Sequence, residues 1–439
     1  MMQAWMTPWL LIAICSIGAA FAFLMRSSLS RMKTVALSTT VTSLLAVIAS
    51  SALNESLPGM PFLWLLPLAA FLSLLGQPVH QENRIAWLMT LVLLGIGLGI
   101  LTAQEPVRQV LLVALLGALG ALLYRHHVSR HQSSMMPDVW RGLGAFLVGM
   151  VSAVLTLVLP FPGSAVATLV ACATLLPLFP LHGGFIAVLT GLPGNLPAFL
   201  ILLLPALGFH TLVLVLPNLT ATMLRTAMLL ALTGACYASL RALIQSQPLP
   251  RLGYAGLSFL SLLWWYVADT GAAPQSAAVY LSAVSLSMSG LLLAWYSIRA
   301  RYGDIDLRAV GGLAYPMPRF STLLALLGLA ALGMPPFGVF SGFIGLLLNP
   351  AFSPSGSFII VMIIWLSASW YVMDLVQELV FGPQRSDMRY EDLRRTEFVS
   401  LLTLILLLLI LGIAPSPFFQ PDGLMPPVTA ATKSVTWNP

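Results

Sequence analysis

Apolar stretches of about 20 residues recur along the whole chain with only short polar interruptions between them, and each is long enough to cross a hydrocarbon core as a helix. Only 8% of the 439 residues are charged and 59% are hydrophobic, with a mean hydropathy of +0.94, whereas an ordinary soluble domain has about 25% charged residues. Lipid cannot hydrogen-bond exposed backbone, so the segments must close their own bonds as helices. The expected fold is all-α: a multi-pass bundle in a bacterial inner (cytoplasmic) membrane.

Fourteen spans are expected, near 8–25, 34–53, 60–76, 85–103, 108–124, 140–160, 164–190, 196–216, 219–244, 252–269, 275–298, 319–349, 357–382 and 398–414. An even count puts both termini on one side. With the termini in the periplasm, 17 of the 20 basic residues fall in or beside inner loops, and only Arg108, Arg225 and Lys433 fall elsewhere. That partition is the one membrane insertion favours. The net charge of +6 is spread singly through these loops and forms no dense tract, which excludes a nucleic-acid partner. Cys15, Cys172 and Cys236 sit in apolar runs without metal-ligand spacing and read as small core residues. Met1 to Trp9 has no basic leader, so the first apolar stretch reads as a retained span.

Two of the long spans are interrupted. The seventh contains Pro177, Pro180 and Gly183, and the twelfth contains Gly333, Pro335 and Pro336. Proline lacks a donor and glycine loosens the backbone, so both spans are expected to be broken helices buried inside the protein. They lie five spans apart. This divides the chain into N-terminal helices (1–84), a five-helix repeat (85–216), a second, inverted five-helix repeat (217–382), and a cytoplasmic loop with the last helix and a proline-rich tail (383–439). Paired breaks in inverted repeats mark ion pathways in transporters, and they also occur as plain packing kinks.

The residues at these breaks carry a family resemblance. Leu178-Phe179-Pro180-Leu181-His182-Gly183 resembles the P-x-H-x-W-L-P stretch of the antiporter-like membrane subunits of complex I (NADH:quinone oxidoreductase), and Gly333-Met334-Pro335-Pro336-Phe337 resembles their G-x-P-P break. Arg251 to Ser258 looks like a worn A-Y-S-S-I-S-H, and Asp306 to Leu313 is similar to D-L-x-x-L-G-G-L. The same family includes subunits of Mrp-type cation/proton antiporters, membrane-bound hydrogenases and inorganic-carbon uptake complexes. The resemblance implies other membrane subunits as partners, and since the sequence has no nucleotide loop, redox motif or nucleophile constellation, no cofactor or catalytic centre is expected in this chain.

It also implies a relay of buried charges, and here the sequence departs from the family. The family's seventh-span lysine, eighth-span lysine and twelfth-span charge align with Leu175, Pro205 and Phe343, and the fifth span has no acid. Three readings follow: a charge-depleted scaffold or accessory subunit, a translocating subunit working through His182 and His210, or the membrane half of an inorganic-carbon uptake complex. His182 beside the first break is either a proton carrier or a partner for a freed carbonyl. His210 lies just beyond the missing eighth-span lysine, and either replaces it or bonds across helices. Arg225 cannot release its proton and is expected to reach outward. Asp374 and Glu378, four apart on one helical face, are expected to contact a neighbouring subunit or to meet Arg385 and Arg389 just beyond. His126, His127 and His131 read as a solvated basic loop between Arg125 and Arg141, with no metal.

Overall fold

The computed structural model describes residues 2–53, 60–80, 83–130, 136–303, 311–354, 356–381 and 391–415, and these are helical with no strand among them. An N-terminal group comprises α1 (Met2–Leu24), α2 (Leu29–Leu53) and α3 (Met60–Leu75). Next come α4 (Arg84–Thr102), α5 (Val107–Arg130), α6 (Met136–Val158), the short pair α7 (Gly163–Leu175) and α8 (Gly183–Gly191), and α9 (Leu196–Val215). The following group is α10 (Ala221–Ile244), α11 (Pro248–Thr270), α12 (Gln275–Tyr302), the short pair α13 (Pro318–Ala331) and α14 (Gly338–Leu347), and α15 (Gly356–Phe381). The chain's described part ends with α16 (Arg395–Ile413) and the two residues after it.

Every expected span coincides with one of these helices or short pairs, although α5 runs six residues past its expected end. Nine of the described helices are long and apolar enough to cross a membrane. The protein is therefore a multi-pass membrane protein. α12 is buried without interruption from Ala277 to Ile298, and α9 is buried along nearly all of its length. They form the axis of the bundle and pack against each other, with α4 and α7 also on α9 and α14 and α16 also on α12. Hydroxyls inside this apolar mass bond to their own helix: Ser43 to the Thr39 carbonyl at 2.8 Å and Thr90 to that of Ala86 at 2.8 Å. Such back-bonding removes the desolvation cost of a lone hydroxyl.

Both expected breaks are present, and each is the fourth of five helical units in its half. They end their first halves differently. α7 stops at Leu175, and Leu176 turns to extended backbone. α13 closes in a Schellman turn, in which Gly333 takes a left-handed φ of +73° while its amide donates to the Ala330 carbonyl and the Met334 amide to that of Leu329, both at 3.1 Å. A side chain at Gly333 would also run into the Trp365 ring.

The expectation that Pro180 and Pro336 are buried inside the protein fails at both positions. Pro177 is buried, but Pro180, Pro335 and Pro336 are exposed on the surface of the isolated chain. Proline content shows where a helix must fail and says nothing of which side the failed turn faces. Two smaller expectations are corrected as well. Cys236 is exposed, because it lies on the outward face of α10. Lys33, expected outside the spans, lies inside α2, where its ammonium donates to the Gln77 carbonyl and, at 3.2 Å, to that of Leu75 at the end of α3.

Candidate functional site

The first break is built around aromatic rings. His182 occupies the N-cap position of α8 and stacks on Phe179, with ring centroids 5.6 Å apart and 16° between planes. Tyr237 from α10 lies 5.5 Å from the imidazole and 5.6 Å from Phe179. Tyr254 from α11 meets Tyr237 edge-on at 6.0 Å, and the Arg241 guanidinium lies over Tyr254 at 5.3 Å. This chain of rings turns an apolar break into a polarisable cluster that contains one imidazole.

The freed carbonyl that His182 was one candidate to satisfy has another partner. The indole of Trp264 on α11 donates to the Leu176 carbonyl at 3.0 Å. His182 Nδ1 is buried without a hydrogen-bond partner among the described residues. His210 is buried in the last third of α9, away from this ring cluster in sequence. Among the described residues no hydrogen bond or ring contact joins the two histidines.

The positions aligned with the family's charges are filled by apolar groups. Leu175 is fully buried, and Pro205 is buried within the continuous helix α9. Phe343 on α14 stacks on Trp365 of α15 with centroids 4.1 Å apart, and Tyr280 of α12 lies 6.2 Å from Phe343. Phe259 of α11 meets Trp365 edge-on at 5.4 Å and completes a four-ring plug beside the second break.

Asp374 and Glu378 find their cation within the chain. Arg251, in the first turn of α11 and 4% exposed, donates to Asp374 and, at 3.4 Å, to Glu378 across from it on α15. The two carboxylates remain 44% and 30% exposed, so a neighbour can still approach their outer side. Arg385 and Arg389, the in-chain partners expected for them, lie outside the described residues. A sequence reading places Arg251 in a loop, because its α11 partners are apolar and its acidic partners lie more than 120 residues away. A second ion pair also went unread: Arg301 at the end of α12 forks onto Glu397 of α16 at 2.6 and 3.1 Å.

Arg225 is exposed one turn into α10, consistent with the outward reading. His126 and His127 lie on α5, whose helix continues to Arg130, while His131 lies outside the described residues. Among the described residues no group of three or more His, Cys, Asp or Glu is placed to hold a metal ion.

Comparison with known proteins places this architecture. The family described as NADH:quinone oxidoreductase/Mrp antiporter, TM, matches residues 152–368, a stretch that runs through both breaks. Over this stretch, just under half of its length, the chain carries the sequence of the antiporter-like membrane-subunit family. NADH-quinone oxidoreductase subunit M of Pseudomonas aeruginosa is 29% identical over 203 residues, covering 46% of this chain and 40% of the relative. NAD(P)H-quinone oxidoreductase chain 4 1 of a Synechococcus species is 27% identical over 272 residues, covering 57% of this chain and 50% of the relative. The matched stretches thus span half or less of these curated relatives.

The antiporter-like fold itself extends over nearly the whole chain. A chain of respiratory complex I from Thermus thermophilus superposes with a TM-score of 0.75, covering 93% of this chain and 97% of that one at 20% identity. A chain of the membrane-bound sulfane sulfur reductase, an archaeal respiratory membrane complex, superposes with a TM-score of 0.77 at 16% identity, covering 94% and 95%. At such identities the likeness is one of fold.

Proposed function

We propose that this antiporter-like chain is a membrane subunit of a complex I-related assembly, kept for its fold and its contacts, with little proton movement of its own. The observation that carries the reading is the Phe343–Trp365 stack. Where the family resemblance calls for a charge beside the second break, the chain has two rings in van der Waals contact, and a proton relay needs ionisable side chains or water at that depth. Leu175 and Pro205 support the same conclusion at the first break. The two five-helix units are inverted repeats in this reading, and other membrane subunits cover the exposed break residues.

A second reading is favoured by the ring cluster at the first break, in which His182 is held by Phe179 and Tyr237 with one nitrogen unpartnered. That reading makes His182 and His210 proton carriers. The two are separated by His182→Ala and His210→Ala, alone and together, with translocation measured in reconstituted vesicles by a pH dye after native gels confirm intact complexes. The scaffold reading expects translocation within about twofold of wild type, a difference of only about 0.4 kcal/mol in barrier height. A loss of about tenfold or more in an intact double mutant would establish the histidine path and overturn the scaffold. Deleting the chain is expected to disrupt assembly.

The proposed orientation puts both termini and the 350–356 loop in the periplasm, and the 125–141 and 383–397 loops in the cytoplasm. Single cysteines at Ser133 and Ser353, in a background without the native cysteines, test it in intact cells. An impermeant maleimide is expected to label the Ser353→Cys protein and spare the Ser133→Cys protein. Equal labelling of both would reject the fourteen-span topology.

A further inference from the structure

We infer that a file of ordered water lies in a polar seam between α10, α11 and α15, alongside the ring cluster of the first helix break, with which it shares Tyr254. α11 is apolar on most of its surface, but Arg251, Tyr254, Ser258 and Ser261 recur at i, i+3, i+7 and i+10 and so share one face. All four are buried. The facing helix α15 presents Tyr371, Asp374 and Glu378 at i, i+3 and i+7, and the two stripes run antiparallel. Arg251 binds Asp374 and Glu378 at one end, and Ser258 lies beside Tyr371 further along. α10 closes the third side with Ser239, whose hydroxyl lies 2.9 Å from that of Ser258, and with Gly234, against which Ser261 packs.

Two hydroxyls in this seam are left over. Ser261 is fully buried and its hydroxyl has no hydrogen-bond partner among the described residues, while Tyr371, 1% exposed, reaches only the Ser258 hydroxyl and falls short of normal hydrogen-bond geometry there. A buried hydroxyl without a partner costs about 1–3 kcal/mol, and proteins meet that cost with internal water that bonds two to four polar groups. Tyr371, Ser261 and the second lone pair of Ser258 supply such a set within about one helical turn. The seam rises about 15 Å from Arg251 to Ser261, half the hydrocarbon thickness. Beyond Ser261 it meets Trp264 and Trp265, both 1% exposed. The water therefore forms a closed-ended branch that begins at the Arg251 ion pairs and stops at the tryptophans. It gives the Asp374–Glu378 pair a hydrated inner side without opening a route across the protein.

X-ray radiolytic labelling of the full-length protein in nanodiscs tests this, because hydroxyl radicals formed from bound water modify the side chains touching it. Tyr280 is the internal control: it is fully buried, and its hydroxyl already donates to the Phe259 carbonyl at 3.1 Å. Tyr371 is expected to be modified at least about fivefold more than Tyr280, as a residue contacting ordered water would be. Ser261→Val removes one anchor and is expected to lower the Tyr371 label by about half. Equal labelling of the two tyrosines in the wild-type protein overturns the inference, and this comparison decides alone if the variant does not fold. A strong Tyr371 label unchanged by Ser261→Val would also overturn it, since the water would then not extend along the seam.

Discussion

Replacing Arg301 by alanine is expected to destabilise the protein by about 3–5 kcal/mol, the cost of leaving one member of a buried ion pair alone. Glu397 is 3% exposed and receives both arms of the guanidinium, together with the Arg394 amide at 2.9 Å. Arg301 also reaches the Ser297 carbonyl at 2.6 Å and that of Asp392 at 3.2 Å. The Asp392 carboxylate in turn accepts the Arg319 and Phe320 amides at the start of α13, at 3.1 and 3.2 Å. One guanidinium thus joins α12 and α16 and steadies the loop that caps α13. Arg301→Lys keeps the charge but loses the fork, and is expected to recover only part of the loss. The joint change Arg301→Met with Glu397→Leu removes both charges and is expected to melt well above either single variant. Thermal unfolding in detergent, followed by intrinsic fluorescence at fixed protein concentration, gives the order. A double variant no more stable than Arg301→Ala would mean that the pair acts through its shape and not its charge.

Phe343→Lys is expected to be nearly as damaging, and for the opposite reason. A lysine at that position would bring a charge to a site now occupied by stacked rings, at a cost of about 2.5–3.5 kcal/mol near the membrane centre. The lost contact with Trp365 adds about 0.5–1.5 kcal/mol. The three remaining rings, Trp365, Tyr280 and Phe259, offer no acceptor to the ammonium except the Tyr280 hydroxyl, which is already engaged with the Phe259 carbonyl. Phe343→Met, which keeps the bulk, is expected to cost less than about 1.5 kcal/mol. Melting curves of the two variants beside wild type make the test. Should the lysine protein melt with the methionine protein, the plug would be wet, and the case for a charge-depleted subunit would lose its main support.

The helices and their breaks were legible because their causes are local. Hydropathy sets where a span can lie, and Pro180 or the Gly333–Pro336 run stops a helix whatever surrounds it. The side-chain partnerships were not legible. Arg251 looks like one more loop arginine until α15 is folded beside it, and nothing near Trp264 in sequence points to the Leu176 carbonyl. His182 was found from its place beside a break, but the rings that surround it, Tyr237 and Tyr254, come from two later helices. Tyr254 sits inside the worn A-Y-S-S-I-S-H segment, so a signal was present there. Tyr237 carried none.

The outward-facing second break bears on how the chain survives before it has partners. Met334, Pro335 and Pro336 are exposed at a place where a span is interrupted, and irregular backbone within a bilayer is tolerated only where protein or water covers it. From the other side the fit is already tight: the Pro336 carbonyl lies so close to Gly412 of α16 that any side chain there would collide with it. The break therefore cannot retreat inward. In the proposed assembly a newly made copy hides it through capture by a neighbouring subunit, so the steady-state amount of this chain should follow the supply of that neighbour, with unclaimed copies left to membrane proteases.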